Sequence, residues 1–456
     1  MKILVIVNED IGDMVLGVNS TLSYIISAGR IASKIFIYKI SDNGEINSSL
    51  SSLSLSKDDI NILAKEYTIQ NNILSQSLKN HNIRYCKTTV SSYIKNFSRE
   101  DILASDIDFV IQRLEPMKTP FPPFGNINIE NYLESLKKIL PSKLIFNFPI
   151  NSYKDKEFPL LFDFATPTEV SSIDDRLIFN KIKIILKRCN TNKIVIKPDD
   201  SAQAFGVFSI EFCKNGLNLE SLFNNKLSVL ASSQKYKISD DLNNKDFDDV
   251  IKILLYVQYW KSIKNNSDVF IKEKDSAEIK FGGEKLYDKK ILIQPFLEGV
   301  AKGDIRISVA KDEDEMFKVV AAIFRKIVIN DSDNFTTGFM SGRSMPFNAE
   351  SCLTKIEFDN LLNQTNIILS YLNLELKELY KNVLEIGFDF ILAGDNENVF
   401  FGEANHHCQG LIPLAEVIDK SEFYDKTFSM KYEFDGGLGI TKKIISQQIK
   451  LQNKIL

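Results

Sequence analysis

The sequence predicts an α/β protein in which an N-terminal parallel sheet precedes antiparallel strands, and three observations carry that reading. Residues 3–7, the helical spacing of 22–30 and residues 34–40 follow in β-α-β order; later strands at 108–113 and 144–147 extend it to a parallel sheet covered by helices. Far along the chain, 387–392 alternates polar and apolar residues. It breaks at Ala393-Gly394-Asp395-Asn396 and resumes as the apolar run 399–401, the pattern of two antiparallel strands. With 456 residues there is room for two or three domains and ample core.

In chain order, the first apolar run ends at Asn8-Glu9-Asp10, too short for the core of a secretion signal, and reads as a strand. The Ser- and Asn-rich stretch 41–56 reads as a loop. No Gly-x-Gly-x-x-Gly fingerprint follows the first strand, which disfavours a dinucleotide enzyme. Arg113 ends its strand before the Pro- and Phe-rich run 119–125, at the edge where open parallel sheets bind ligands; a surface arginine before a rigid loop fits the residues too. Residues 149–167 lead to the next unit and carry Lys154 and Lys156. Helical spacing at 173–186 precedes a strand at 193–198, whose apolar end holds Lys197. An ammonium there calls for an anion, a phosphate being a natural one, while a solvent-facing lysine on a plain hairpin is the alternative.

The turn 199–206 has a single glycine, Gly206, and 214–290 is a polar, mixed stretch that reads as an insertion with helix at 247–260. Residues 291–297 form a buried-type strand with Pro295 near its end. Asp304 and Arg306 share a face of the next strand, Arg325 ends the strand 319–324, and 356–372 is an amphipathic helix.

On the last strand Glu403 and Asn405 are two apart and project together, and Asp389 of the neighbouring strand can join them. Two carboxylates and a side-chain carbonyl make an all-oxygen set suited to Mg²⁺, although a solvated hairpin with surface acids fits this stretch equally. His406, His407 and Cys408 are neighbours that point to alternate faces, so one histidine touching a substrate is expected rather than a zinc site. A net charge of -4 with 25% charged residues argues against a nucleic-acid partner and for small-molecule substrates. Five cysteines without paired spacing fit a reducing compartment. No run approaches the roughly 18 apolar residues of a membrane span, so a cytoplasmic protein with no membrane partner is expected.

Lys156, Ile194-Val195-Ile196-Lys197-Pro198, Ile293 to Leu297, Gly303-Asp304-Ile305-Arg306, Arg325, Gly387-Phe388-Asp389 and Glu403-Ala404-Asn405, in that order and spacing, resemble the ATP-grasp superfamily, and within it the bacterial glutathione synthetases. The resemblance implies a pre-ATP-grasp α/β domain at 1–150, a small lid lobe at 151–296 with an insertion at about 215–290, and a C-terminal metal-bearing lobe at 297–456. It implies an ATP-dependent C–N ligase that joins γ-glutamylcysteine to glycine through an acyl phosphate, with ATP and two Mg²⁺ (or Mn²⁺) ions, and a homo-oligomer. Lys156 and Lys197 would hold phosphates, and Gln294, Phe296 and Leu297 the adenine. Asp304 and Arg306 would line the nucleotide and substrate region, Arg325 would steady the transferring phosphoryl group, and Asp389, Glu403 and Asn405 would bind metal. Arg113, Arg306 and His406 would meet the substrates. Two departures fall at the substrate positions: Thr337-Gly338-Phe339 replaces an Arg-Gly-Asn, and His406 to Gln409 replaces a Ser/Thr-Pro turn.

Overall fold

The computed structural model describes residues 1–41, 45–46, 49–79, 88–113, 132, 134–136, 145–146, 157–172, 178–198, 208–213, 216–221, 280–281, 284–285, 290–327, 344–347, 352–380, 383–405 and 432–455. Three principal sheets carry the fold, one in each successive part of the chain.

The first sheet contains β1 (Lys2–Val7), β2 (Lys34–Lys39), β3 (Ser49–Leu55), β4 (Ser98–Leu103), β5 (Phe109–Arg113) and β6 (Ile145–Phe146), in the order β4-β3-β2-β1-β5-β6. Strands β2, β1, β5 and β6 are parallel, and β3 and β4 extend the sheet antiparallel. The stretch expected as a loop at 41–56 thus contains a strand. In its sequence SLSSLSL, Leu50, Ser52 and Ser54 alternate onto one buried face while Leu55 enters the core on the other, so burial on both sides outweighed the Ser-rich composition. The helix Ser20–Ile31 starts where the Asn19 side chain accepts the Leu22 N–H at 2.8 Å, and its apolar face packs on this sheet.

The second sheet contains β7 (Glu169–Ser172), β8 (Lys193–Pro198), β9 (Phe208–Cys213) and β10 (Gly216–Ser221). After the short pair β11 (Lys280–Phe281) and β12 (Glu284–Lys285), β13 (Lys290–Pro295) completes it in the order β10-β9-β8-β13-β7, antiparallel throughout. The helix Ile178–Arg188 packs against β7, β8 and β13, where Ile194 and Ile196 are fully buried. Alternation along β8 leaves Lys193, Val195 and Lys197 on the opposite face.

The third sheet contains β14 (Asp304–Lys311), β15 (Phe317–Ile327), β16 (Ser344–Phe347), β17 (Glu385–Leu392) and β18 (Val399–Asn405), antiparallel in the order β16-β15-β14-β17-β18. One face buries Ile305, Ile307, Phe388, Phe390 and Phe401 against the helix Lys355–Leu374, with Phe401 edge-on to Phe388 at 5.7 Å. That helix begins with a capping box: Thr354 Oγ1 accepts the Glu357 N–H, and the Glu357 carboxylate accepts the Thr354 N–H. The other face is divided. Ala310, Ala321, Ile323 and Leu384 join the core of the first sheet and of the helix Gly439–Ile455, and the far half of that face carries the polar side chains described next.

No described helix is long and apolar enough to cross a membrane. Lys156, the turn 199–206, Thr337 to Phe339, His406 to Gln409 and the helix expected at 247–260 lie outside the described residues.

Candidate functional site

Cross-strand register assembles the site on the third sheet. Arg306 of β14 stands opposite Asp389 of β17, Asp304 opposite Arg325 of β15, and Asp389 opposite Glu403 of β18. Directly opposed residues of antiparallel strands hold their Cβ atoms about 5 Å apart, close enough for paired charges to meet. They do meet. Arg306 grips Asp389 with a fork, Nε to Oδ1 at 2.6 Å and Nη2 to Oδ2 at 2.5 Å. Arg325 grips Asp304 the same way, Nε to Oδ1 at 2.6 Å, and its Nη2 also lies 3.1 Å from Asp389 Oδ2. Asn405 donates Nδ2 to Asp389 Oδ2 at 3.1 Å and to Glu403 Oε1 at 3.2 Å.

The sixth charge comes from the second sheet. Lys197, only 8% exposed at the end of β8, lies within the field of Glu403 and Asp389. Burial lowers its ammonium below the usual lysine value, and those two carboxylates oppose the shift. Burial alone would raise Asp389, but the guanidiniums of Arg306 and Arg325 overcome it and hold the carboxyl below the usual range. Arg325 stays protonated because the charges of Asp304 and Asp389 outweigh its own desolvation. Three cations and three carboxylates, on two sheets, therefore balance in one partly water-excluded cluster.

Strand β13 pairs with β8, Leu292 opposite Lys197, and delivers the chain from the second sheet to the third. Buried Gln294 donates Nε2 to Thr168 Oγ1 at 2.8 Å. The Phe296 N–H is committed to the Lys193 carbonyl at 3.0 Å, and the Lys193 ammonium lies 4.0 Å from the Phe296 ring centre. The crossing is held by the turn Glu298–Ala301, where Gly299 packs so tightly on the β17–β18 hairpin that a Cβ would come within 2.2 Å of the Leu392 carbonyl.

Of the residues singled out in the sequence, Lys197, Asp304, Arg306, Arg325, Asp389, Glu403 and Asn405 converge, and Gln294, Phe296 and Leu297 form the adjoining connection. Arg113 does not join them. It is buried between the first sheet and β17, its Nη1 4.0 Å from Glu385 Oε2 with both side chains at 0% exposure. Its Nη2 donates to Ser20 Oγ at 3.1 Å, and its guanidinium lies 4.2 Å from the Tyr24 ring centre. The expectation that Arg113 stands at an open substrate edge is corrected on this point, because the third sheet closes over that edge. Asn405 also differs from expectation, since it turns its nitrogen rather than its oxygen to the acids. Tyr24, Glu385 and Thr168 were not anticipated; a glutamate inside the apolar run 383–386 was the available signal for Glu385.

The donor set suits a hard divalent cation: Asp389 and Glu403 supply carboxylates, and Asn405 offers an oxygen to the same spot after rotation about its last side-chain bond. Among the described residues no group of three or more His, Cys, Asp or Glu side chains is arranged to hold a metal ion.

No family model matches the chain, and no curated protein matches it. Among solved structures it is similar to the D-cycloserine synthetase DcsG at 10% identity, covering 98% of this chain and 100% of that one with a TM-score of 0.45. It is similar to D-alanyl-alanine synthetase A from Vibrio cholerae at 12% identity, covering 98% of both chains with a TM-score of 0.44. Biotin carboxylase from Campylobacter jejuni, in its β,γ-ATP complex, matches at 10% identity over 97% of this chain and 71% of that one, with a TM-score of 0.41. Likenesses this distant define neither activity nor substrate.

Proposed function

We propose that the protein is an ATP-dependent carboxylate–amine ligase of the ATP-grasp kind that acts through an acyl phosphate. The observation that carries this reading is the meeting of Lys197, from one antiparallel sheet, with the Arg306–Asp389 and Arg325–Asp304 pairs and Glu403 of another. Phosphoryl transfer asks a protein for little beyond cations at fixed positions and oxygen ligands for a metal, in a site shielded from water.

In the first step a substrate carboxylate oxygen attacks the γ-phosphorus of ATP, and the bond to the β,γ-bridging oxygen breaks so that ADP leaves. In the second, an amine nitrogen attacks the acyl carbon; the C–O bond to phosphate breaks and the nitrogen loses a proton. Lys197, buried at the end of β8, would meet phosphate oxygens. Arg325 and Arg306 present rigid guanidinium planes that match phosphoryl or carboxylate oxygens, and Asp304 fixes the plane of Arg325. Asp389 and Glu403, with Asn405 turned to offer its oxygen, would hold Mg²⁺, which supplies neutralising charge between phosphates when bound. The segment Gln294 to Leu297 would take the adenine, Lys156 a phosphate and His406 a substrate.

The finer reading implied by the sequence resemblance is glutathione formation from γ-glutamylcysteine and glycine; another amino acid or peptide pair is the alternative within the same chemistry. Phosphate release from ATP and Mg²⁺ tests both, first with γ-glutamylcysteine and glycine and then across paired amino acids and dipeptides. Release that needs both an acid and an amine supports the ligase. ATP binding without release for any pair overturns it in favour of a nucleotide-binding protein without turnover.

A further inference from the structure

Strand β17 belongs to two sites at once. Glu385, Gly387 and Asp389 alternate onto the same face, so the carboxylate at the start of the strand and the one in the charge cluster are about 13 Å apart along one strand. Glu385 is gripped from the N-terminal part of the chain: the Tyr24 hydroxyl donates to its Oε2, and Arg113 lies 4.0 Å from the same oxygen. The Arg113 guanidinium stacks on the Tyr24 ring at 4.2 Å and is tied to Ser20, the first residue of the same helix. Around this polar contact the interface is apolar, built from Ile25, Ala310, Ala321 and Leu384. Apolar side chains of similar size would close that gap at equal or lower free energy, because a buried ion pair seldom repays its desolvation. A buried pair penalises displacement, since any shift of β17 relative to β5 leaves a charge buried without its counterion.

We propose that Glu385, with Tyr24 and Arg113, is a positioning residue that sets the position of β17 against the N-terminal sheet and thereby places Asp389 in the nucleotide site. This rests on the ligase reading for its functional consequence, while the positioning itself does not.

The test compares the full-length protein with Glu385→Gln, Tyr24→Phe and, as a control on the same helix facing the helix Gly439–Ile455 rather than β17, Ser27→Ala, which loses the buried contact of 2.8 Å to Thr441 Oγ1. Three quantities are read: melting temperature, affinity for a fluorescent ATP analogue with Mg²⁺, and amide hydrogen exchange in peptides spanning 385–405. Glu385→Gln and Tyr24→Phe should each weaken nucleotide affinity by about tenfold or more, the scale typical of losing an outer-shell partner, and should speed exchange across 387–391. Ser27→Ala should lower the melting temperature without either change. Should Glu385→Gln not fold, Tyr24→Phe, which removes one oxygen, decides the matter alone. Equal effects in Tyr24→Phe and Ser27→Ala, or unchanged exchange at 387–391 in Tyr24→Phe, overturn the proposal. If the unaltered protein binds no nucleotide, the ligase reading falls, and the exchange measurement still decides the positioning.

Discussion

Asp389→Asn and Glu403→Gln look alike in the sequence, but the structure separates them. Asp389 receives the Arg306 fork at 2.6 and 2.5 Å and a third contact from Arg325 at 3.1 Å, with its side chain 7% exposed. Removing one partner from a buried, hydrogen-bonded charge pair costs about 3–5 kcal/mol, since the other charge is left uncompensated. Arg325 keeps Asp304, so the cost falls mainly through Arg306, and about 3 kcal/mol is expected for Asp389→Asn. Glu403 accepts a hydrogen bond from the Asn405 amide and faces the Lys197 charge without a guanidinium fork, and Glu403→Gln should cost about 1 kcal/mol, the scale of one hydrogen bond. Urea denaturation measures both, alongside phosphate release, which each variant should abolish. The pH dependence follows from the direction of the Asp389 shift. Its folded pKa is depressed by the arginines, so its stabilisation is complete above the ordinary aspartate range and is lost as pH falls through the folded value. The gap between the unaltered protein and Asp389→Asn should therefore be flat from pH 5 to 8 and shrink in stronger acid. An Asp389→Asn protein as stable as the original, or no more affected than Glu403→Gln, would refute the reasoning.

Other substitutions read other parts of the account. Lys197→Met should leave stability unchanged or higher, because the buried ammonium is destabilised by desolvation, while phosphate release falls at least a hundredfold; retained turnover would remove Lys197 from the site. Burial lowers Lys311 to about 8 from its ordinary 10.5, so below pH 8 its charge costs the fold about 3 kcal/mol, a cost that fades as pH rises toward 10.5. Its bond to the Tyr380 carbonyl at 2.7 Å offsets part of this; Lys311→Met should gain stability at pH 7 and lose that advantage by pH 10, and a gap independent of pH would contradict the assignment. Gly299→Ala drives a methyl into the Leu392 carbonyl and should lower stability by about 1–3 kcal/mol, read as a shifted urea midpoint.

The sequence displayed the site's hairpin because polar and apolar residues alternate from Gly387 to Leu392 and a tight break follows, so β17 and β18 and the shared face of Glu403 and Asn405 could be read directly. The parallel arrangement of β1, β2 and β5 was legible for a similar reason, through runs of Ile, Leu, Val and Phe separated by a helix. Composition misled at β3, where Ser52 and Ser54 share the buried face of Leu50 and hydrophobicity alone does not mark that face. The pairing of Arg306 with Asp389 was not legible: it depends on the register between strands separated by 83 positions in the chain, which local pattern does not fix. Arg113 was correctly put at the end of its strand, but only the closing of the third sheet over that edge reveals Glu385 as its partner.

The central claim is that a substrate carboxylate takes the γ-phosphoryl group of ATP at the Lys197–Arg325–Asp389 cluster. The most direct test supplies the acid that supports phosphate release with ¹⁸O in its carboxyl group, together with ATP, Mg²⁺ and the amine. An acyl phosphate requires one labelled oxygen to pass into each phosphate released, and its appearance there, abolished by Lys197→Met, is the predicted result. Unlabelled phosphate, or no acid that supports release although ATP binds, would contradict the account.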